Sequence, residues 1–259
     1  MILSYLSANV NPKIKINIKK DIKMDKKIKV VMFDLDGTLL PMDQDVFVGT
    51  YFNLLAKKMT EYGYEPKSLI ENVWKCTYAM VKNDGKCTNE TAFWNGFSKI
   101  YGEDRLKDTP IFDSFYNNEF LAVKDVCGFS PKSSEVVRNL KNRGYRVVLA
   151  TNPVFPAVAT LNRCRWAGLE PNDFEHITTY ENSTYCKPNP EYFKEIMSKI
   201  GVSPEECLMV GNDVAEDGAA MKAGIRVFFL TDCLINKENT DFSPYPHGNF
   251  DDFIEYINS

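Results

Sequence analysis

Apolar positions in this 259-residue chain follow two alternating rhythms. Short continuous runs rich in valine read as strands buried on both faces: Val30-Val31-Met32-Phe33, Val147-Val148-Leu149-Ala150 after Arg146, and Cys207-Leu208-Met209-Val210. Residues 225–230 form a further strand, and residues 177–180 a shorter candidate. Between these runs, apolar residues recur every three or four positions, the spacing of amphipathic helices. Val136, Val137 and Leu140 mark a helix that ends at Gly144, with Ser130 as N-cap and Pro131 at its first position. Further helices are predicted over 157–167, from Tyr192 to Ile200, through Asp217, Ala220 and Met221, and over 250–257. Ser203-Pro204-Glu205-Glu206 has capping-box spacing, and residues 236–248 read as polar loop. Strands alternating with helices predict a Rossmann-like, doubly wound parallel α/β core.

Residues 46–125 break that rhythm, with helical periodicity and no strand pattern. Phe47, Tyr51, Leu55 and Met59 mark one helix; Leu69, Val73, Cys76 and Met80 a second; Phe93, Trp94 and Phe97 a third; Phe112, Phe115, Phe120 and Leu121 a fourth. The expected organisation is a core built from 24–45 and 126–259, with an α-helical cap domain (46–125) inserted after the first strand. Its aromatic stripe suits a helix-bundle core, with a ligand box as the alternative. Residues 1–23, apolar and then lysine-rich, lack the order of a secretory signal. They are expected to be a disordered or non-native extension ahead of a start at Met24, although Ile14, Ile16 and Ile18 alternate as in a strand.

Composition narrows the classes. With 44% hydrophobic and 25% charged residues, the chain reads as an ordinary globular protein. A net charge of −4 gives no general attraction to nucleic acid or anionic lipid, so neither is expected as a partner. The 7 cysteines are scattered without a Cys-x-x-Cys pair, which argues for reduced thiols and a cytoplasmic location. No apolar run approaches the roughly 18 residues of a membrane span.

The chemistry sits where strands end. Asp34 and Asp36 leave the first strand on the same side and are followed by Gly37, which permits a tight turn. Thr151-Asn152 and Gly211-Asn212-Asp213 end two other strands, and Lys187 opens a helix between them. Parallel strands bring such ends to one edge, where α/β proteins bind ligands. Carboxylates, a hydroxyl, a lysine and exposed backbone amides together suit Mg²⁺ shared with a phosphate.

Asp34-x-Asp36-x-Thr38, Thr151, Lys187-Pro188 and Gly211-Asn212-Asp213-x-x-x-Asp217, in that order, resemble the four motifs of the haloacid dehalogenase superfamily. The helical insertion resembles the cap that many of its members carry between the first two motifs. The resemblance implies a phosphatase that hydrolyses a small phosphorylated metabolite. Asp34 would be the nucleophile and Asp36 the acid and base. Thr151 and Lys187 would stabilise the phosphoryl group, with Gly37 and Asn152 also holding phosphate. Mg²⁺ would be held by Asp34, the Asp36 carbonyl and Asp213. Many members have aspartate where this chain has Asn212. Asn212 and Asp217 are therefore assigned to supporting positions or a secondary metal contact, Asp217 orienting Lys187 or serving simply as a helix cap.

The second acid, Asp36, favours phosphatase over dehalogenase. Phosphomutase, phosphonatase and a non-catalytic binding protein remain as alternatives, and monomer and homodimer are equally open. His176, His247 and Cys186 match no motif. Hinges expected near 43–46 and 127–130 would let the cap close.

Overall fold

The computed structural model describes residues 24–259, so the extension expected over 1–23 lies outside the described residues. Strand β1 (Val30–Phe33) is flanked by β2 (Arg146–Leu149) and β4 (Cys207–Gly211). β3 (His176–Ile177) lies beyond β2, and β5 (Arg226–Leu230) and β6 (His247–Gly248) lie beyond β4, giving the order β3-β2-β1-β4-β5-β6. Every pairing is parallel. Phe33 pairs with both Leu149 and Val210, so three chains leave the sheet at one level. The order reverses between β1 and β4, the switch point where doubly wound sheets open a crevice.

Alternation divides the strand residues between two cores. Val31, Phe33, Val147, Leu149, Leu208 and Val210 pack with α5 (Pro131–Asn142), α6 (Ala157–Trp166) and α8 (Phe250–Asn258). Val30, Met32, Val148, Met209 and Phe229 pack with α7 (Pro190–Ile200) on the other face. Phe253 of α8 is fully buried, its ring 5.7 Å from Phe33 and 5.0 Å from Phe228. Phe253→Ala is expected to cost about 3–5 kcal/mol, the usual price of an aromatic-sized cavity, read as a lower urea midpoint. An unchanged midpoint would mean that α8 does not share the sheet's cooperative unit.

Between β1 and α5 lie α1 (Gln44–Thr60), α2 (Pro66–Val81), α3 (Asn89–Tyr101) and α4 (Thr109–Asn117). Asp43, Glu65 and Thr88 cap the first three with their side chains. The chain enters and leaves this helical segment side by side: Met42 bridges Cys127, and Gly128 N donates to Pro41 O at 2.7 Å. At its far side the start of α3 is tied to the strand-end loops, Asn89 N donating to Ser183 O (2.8 Å) and Glu90 N to Tyr180 O (2.9 Å). Among the described residues no helix is long and apolar enough to cross a membrane.

Several elements differ from expectation. The fourth helix breaks at Asn118, whose side chain bonds back to Ser114 O, and continues as a 3₁₀ turn (Glu119–Val126) that leaves Leu121 exposed. Ser130 makes no capping bond, leaving Pro131 to start α5. β3 begins one residue early and stops at Ile177, because Thr179 N turns onto Asn182 Oδ1. The Asp217 helix is only a 3₁₀ turn, Gly218–Ala223. The stretch read as polar loop contains β6, whose two residues are too few to carry a periodicity.

Candidate active site

Asp34 follows β1 directly and is largely buried. Its Oδ1 accepts from Lys187 Nζ at 2.8 Å, and the same ammonium donates to Asp217 Oδ1 at 2.7 Å. Lys187 is 0% exposed, so in this conformation it acts on the site through Asp34 rather than by touching a ligand. Burial works against its charge, but Asp217 and Asp34 outweigh it and hold its pKa well above the ordinary lysine value. Asp217 completes the arrangement by accepting from Asp213 N at 2.9 Å. It thus holds the Lys187 ammonium against Asp34 in this conformation.

This fit depends on Gly211, where a Cβ would lie 2.0 Å from Asp217 Oδ2 and 2.8 Å from Asp217 Cβ. Gly211→Ala is expected to displace Asp217 from Lys187, lowering both thermal stability and turnover. Retention of both would show that Asp217 has room to move.

Asp36 has a partner that motif reading missed. Its Oδ2 accepts from Arg163 Nη1, and its Oδ1 is buried without a partner among the described residues. Arg163 comes from α6, is 1% exposed, and lies 4.4 Å over the Phe155 ring. Burial raises the Asp36 carboxyl above its ordinary value; Arg163 pulls it down and Asp34 pushes it up. A signal existed, because Arg163 falls on the buried stripe of its helix with Ala159, Thr160 and Cys164. Only an arginine with a buried acidic partner belongs there.

Thr151 is buried at the end of β2. Its carbonyl is clamped by Tyr192 Oη (2.8 Å) and Thr178 Oγ1 (2.6 Å), while its hydroxyl makes no hydrogen bond among the described residues. Asn152 is a brace: Oδ1 accepts from Lys187 N (3.2 Å) and Nδ2 donates to Glu216 Oε2 (3.0 Å). Glu216 is a second missed residue, its carboxyl pushed up to about 8 by burial, with Asp213, Asp217 and Asp34 adding to the push. Asp213 spends Oδ1 on Ala215 N and Glu216 N, leaving one carboxylate oxygen for other work.

Gly37 and Asn212 are both tied into the surrounding protein. Gly37 lies off the main cavity wall, and its N–H donates to Leu40 O at 2.8 Å, so it is not offered to a phosphate. Its φ of +81° serves the turn, and a Cβ there would strike Asn212 Nδ2 at 2.3 Å. Asn212 is a strut in this conformation: Oδ1 accepts from Thr38 Oγ1 (2.9 Å) and Nδ2 donates to Cys233 O (2.8 Å).

Above these groups a cavity of about 520 Å³ extends from Asp34, Asp36 and Thr151 into the helical segment. Among the described residues no three His, Cys, Asp or Glu side chains converge as a complete metal cage. The donor set nonetheless fits a hard divalent cation. Mg²⁺ commonly takes one or two carboxylates and completes its shell with water and phosphate oxygens. Here Asp34, Asp36, Asp213 and Asp217 share one cavity floor, and Lys187 and Arg163 do not line it.

Carboxylates, a hydroxyl and a buried lysine gathered at the switch point of a doubly wound sheet define an enzyme of the α/β class. The chain belongs to the haloacid dehalogenase-like hydrolases, whose family model matches residues 28–224. It is 24% identical over 217 residues to the glyceraldehyde 3-phosphate phosphatase of Methanothermobacter thermautotrophicus, a match covering 83% of this chain and 88% of the relative. It is 24% identical over 203 residues to a phosphoglycolate phosphatase of Pseudomonas putida, covering 78% and 69%. CbbY from Rhodobacter sphaeroides, solved in complex with phosphate, shares the fold with a TM-score of 0.54 at 17% identity, over 86% of this chain and 95% of that one. The HAD-hydrolase YfnB from Bacillus subtilis, solved bound to magnesium, does so with a TM-score of 0.53 at 17% identity, over 90% and 100%.

Proposed function

We propose that the chain is a Mg²⁺-dependent phosphatase that hydrolyses a small phosphate monoester through an aspartyl-phosphate on Asp34. The observation that carries this reading is the Asp34 carboxylate itself. One oxygen is held by a fully buried ammonium, the other makes no hydrogen bond among the described residues, and Asp36 and Thr151 share its cavity. The phosphatase names of the relatives support it.

In this mechanism Asp34 attacks phosphorus while Asp36 gives a proton to the departing alcohol oxygen. Asp36 then takes a proton from the water that cleaves the aspartyl-phosphate. Thr151 donates its hydroxyl to a phosphoryl oxygen, and Lys187 holds Asp34 in place and offsets charge as it develops. Asp34, the Asp36 carbonyl and Asp213 would hold Mg²⁺, which supplies Lewis-acid neutralisation of the phosphate charge. Residues 46–125 act as a cap, excluding water when the α3 contacts with Tyr180 and Ser183 are made.

Phosphate release from a panel of monoesters, measured with Mg²⁺ and again with excess chelator, tests the reading. Metal-dependent release is expected; release that survives full chelation refutes the metal role, and release from no ester refutes phosphatase activity.

Arg163 opposes the upward push of burial on the Asp36 carboxyl. Removing its guanidinium in Arg163→Met removes a downward pull on the Asp36 pKa. Asp36 then keeps the proton needed by the leaving group to higher pH, and the alkaline limb of kcat/KM moves upward. A limb that stays in place would separate Arg163 from Asp36 function.

A further inference from the structure

The cavity that extends above Asp34 changes character away from its floor. The wall supplied by the helical segment and adjoining loops carries Tyr51, Phe52, Trp74, Phe93, Trp94 and Tyr116. These rings support one another: Tyr51 stacks with Tyr116 at 6.3 Å, Phe52 lies 5.2 Å from Trp74, and Phe93 lies 5.2 Å from Trp94. Trp74 is 49% exposed and lines the open cavity, so the wall is not filled by the protein's own packing.

Its charges point one way. The acidic side chains that the helical segment gives to the wall are Asp45 and Asp113, and it gives no basic one. Burial and the neighbouring Glu181 both raise the Asp113 carboxyl, so this end of the cavity already resists added negative charge. Among the described residues, Lys237 is the one lysine or arginine on the whole cavity wall. It belongs to the loop two residues past Ile235, which pairs with Asp213 at the catalytic end. Lys187 and Arg163 are buried behind Asp34 and Asp36 and do not line the cavity. A carboxylate or second phosphate reaching into the helical part would be desolvated against rings and carboxylates without a counter-charge. A flat apolar group would instead meet aromatic faces and edges on several sides.

Resting on the phosphatase reading of Asp34, we propose that the substrate is a phosphate monoester of a bulky aromatic or apolar alcohol with no second anionic group. Trp94 supplies contact to that group, and Asp113 excludes anionic competitors. Specificity here comes as much from rejection as from attraction.

The test compares 2-phenylethyl phosphate, its 4-carboxyphenyl analogue and phosphoglycolate as substrates of the full chain with Mg²⁺. The phenyl ester is expected to exceed the other two in kcat/KM by about tenfold or more. Trp94→Ala is expected to raise KM for the phenyl ester more than it lowers kcat. Asp113→Lys, a change at an exposed position of the wall, is expected to narrow the gap between the phenyl and carboxyphenyl esters. Turnover of phosphoglycolate or the carboxyphenyl ester as fast as the phenyl ester overturns the proposal, as does a gap that Asp113→Lys leaves untouched.

Calorimetric binding of 3-phenylpropylphosphonate and its 4-carboxy analogue, neither of which can be hydrolysed, separates this proposal from the reading beneath it. Preference for the phenyl phosphonate without turnover of any ester refutes the phosphatase and keeps the cavity assignment. Equal or reversed binding refutes the cavity assignment whatever the turnover.

Discussion

Asp34→Asn lowers kcat by a factor on the order of 10⁴ or more, the scale on which loss of a covalent nucleophile is felt. The amide is a poor nucleophile, and it no longer offers the charged oxygen that Lys187 holds at 2.8 Å. The fold should survive, because the remaining Lys187–Asp217 pair at 2.7 Å keeps the buried ammonium neutralised. The substitution also removes a negative charge from a crowded site, where Asp34 pushes up the carboxyls of Asp36, Glu216 and Asp217. Steady-state phosphate release together with urea unfolding checks both halves. Near-normal turnover by a folded variant would remove Asp34 from the nucleophile's role, and a collapsed unfolding midpoint would make its role one of stability.

Lys187→Met is expected to damage the protein in both respects. The ammonium is fully buried between two carboxylates, and removing one partner of such a group leaves uncompensated charge worth about 3–5 kcal/mol. Turnover should fall with it. The stability loss carries a pH signature. Burial already pushes the Asp217 carboxyl up to about 6, against the pull of Lys187. Without the lysine that carboxyl rises further, while in the unfolded chain it titrates near ~4. The folded variant therefore binds a proton that the unfolded chain has released, and stability falls as pH climbs through that window. The deficit against the parent chain should be large at pH 8 and smaller at pH 5 in urea unfolding. Equal deficits at both would mean that Asp217 does not take up the proton.

The two predictions concern residues that a reader of the chain could find, and there is a reason for that. Asp34, Lys187 and Asp217 are spread over more than 180 positions, yet each follows a strand or opens a helix in a repeating βα pattern. A parallel sheet has one carboxyl edge, so residues at its strand ends meet whatever their separation. Arg163 was missed because it lies inside α6, where convergence depends on rotation about the helix axis, and Glu216 because it lies in an irregular turn past β4 that carries no periodicity. Gly37 was expected at the phosphate and Asn212 in a supporting position or at the metal; their hydrogen-bonding groups are spent on Leu40, Thr38 and Cys233. A donor's partner is a tertiary fact, and no motif records it. The aromatic stripe was a choice between bundle core and ligand box: Phe97, Phe115 and Phe120 are fully buried, as in a core, while Trp74, Trp94 and Tyr116 line the cavity.

By itself, the chain's pattern determined the α/β class, the all-helical stretch between the first and second core strands, and the carboxylate-rich site. Each follows from local periodicity and from the geometry common to every parallel sheet. The tertiary structure alone decided the strand order β3-β2-β1-β4-β5-β6, the capture of Asp36 by Arg163 across 127 positions, and the set of rings that line the cavity. These depend on which of many compatible packings buries the apolar faces best, a choice made by the whole molecule at once and not by any segment of it.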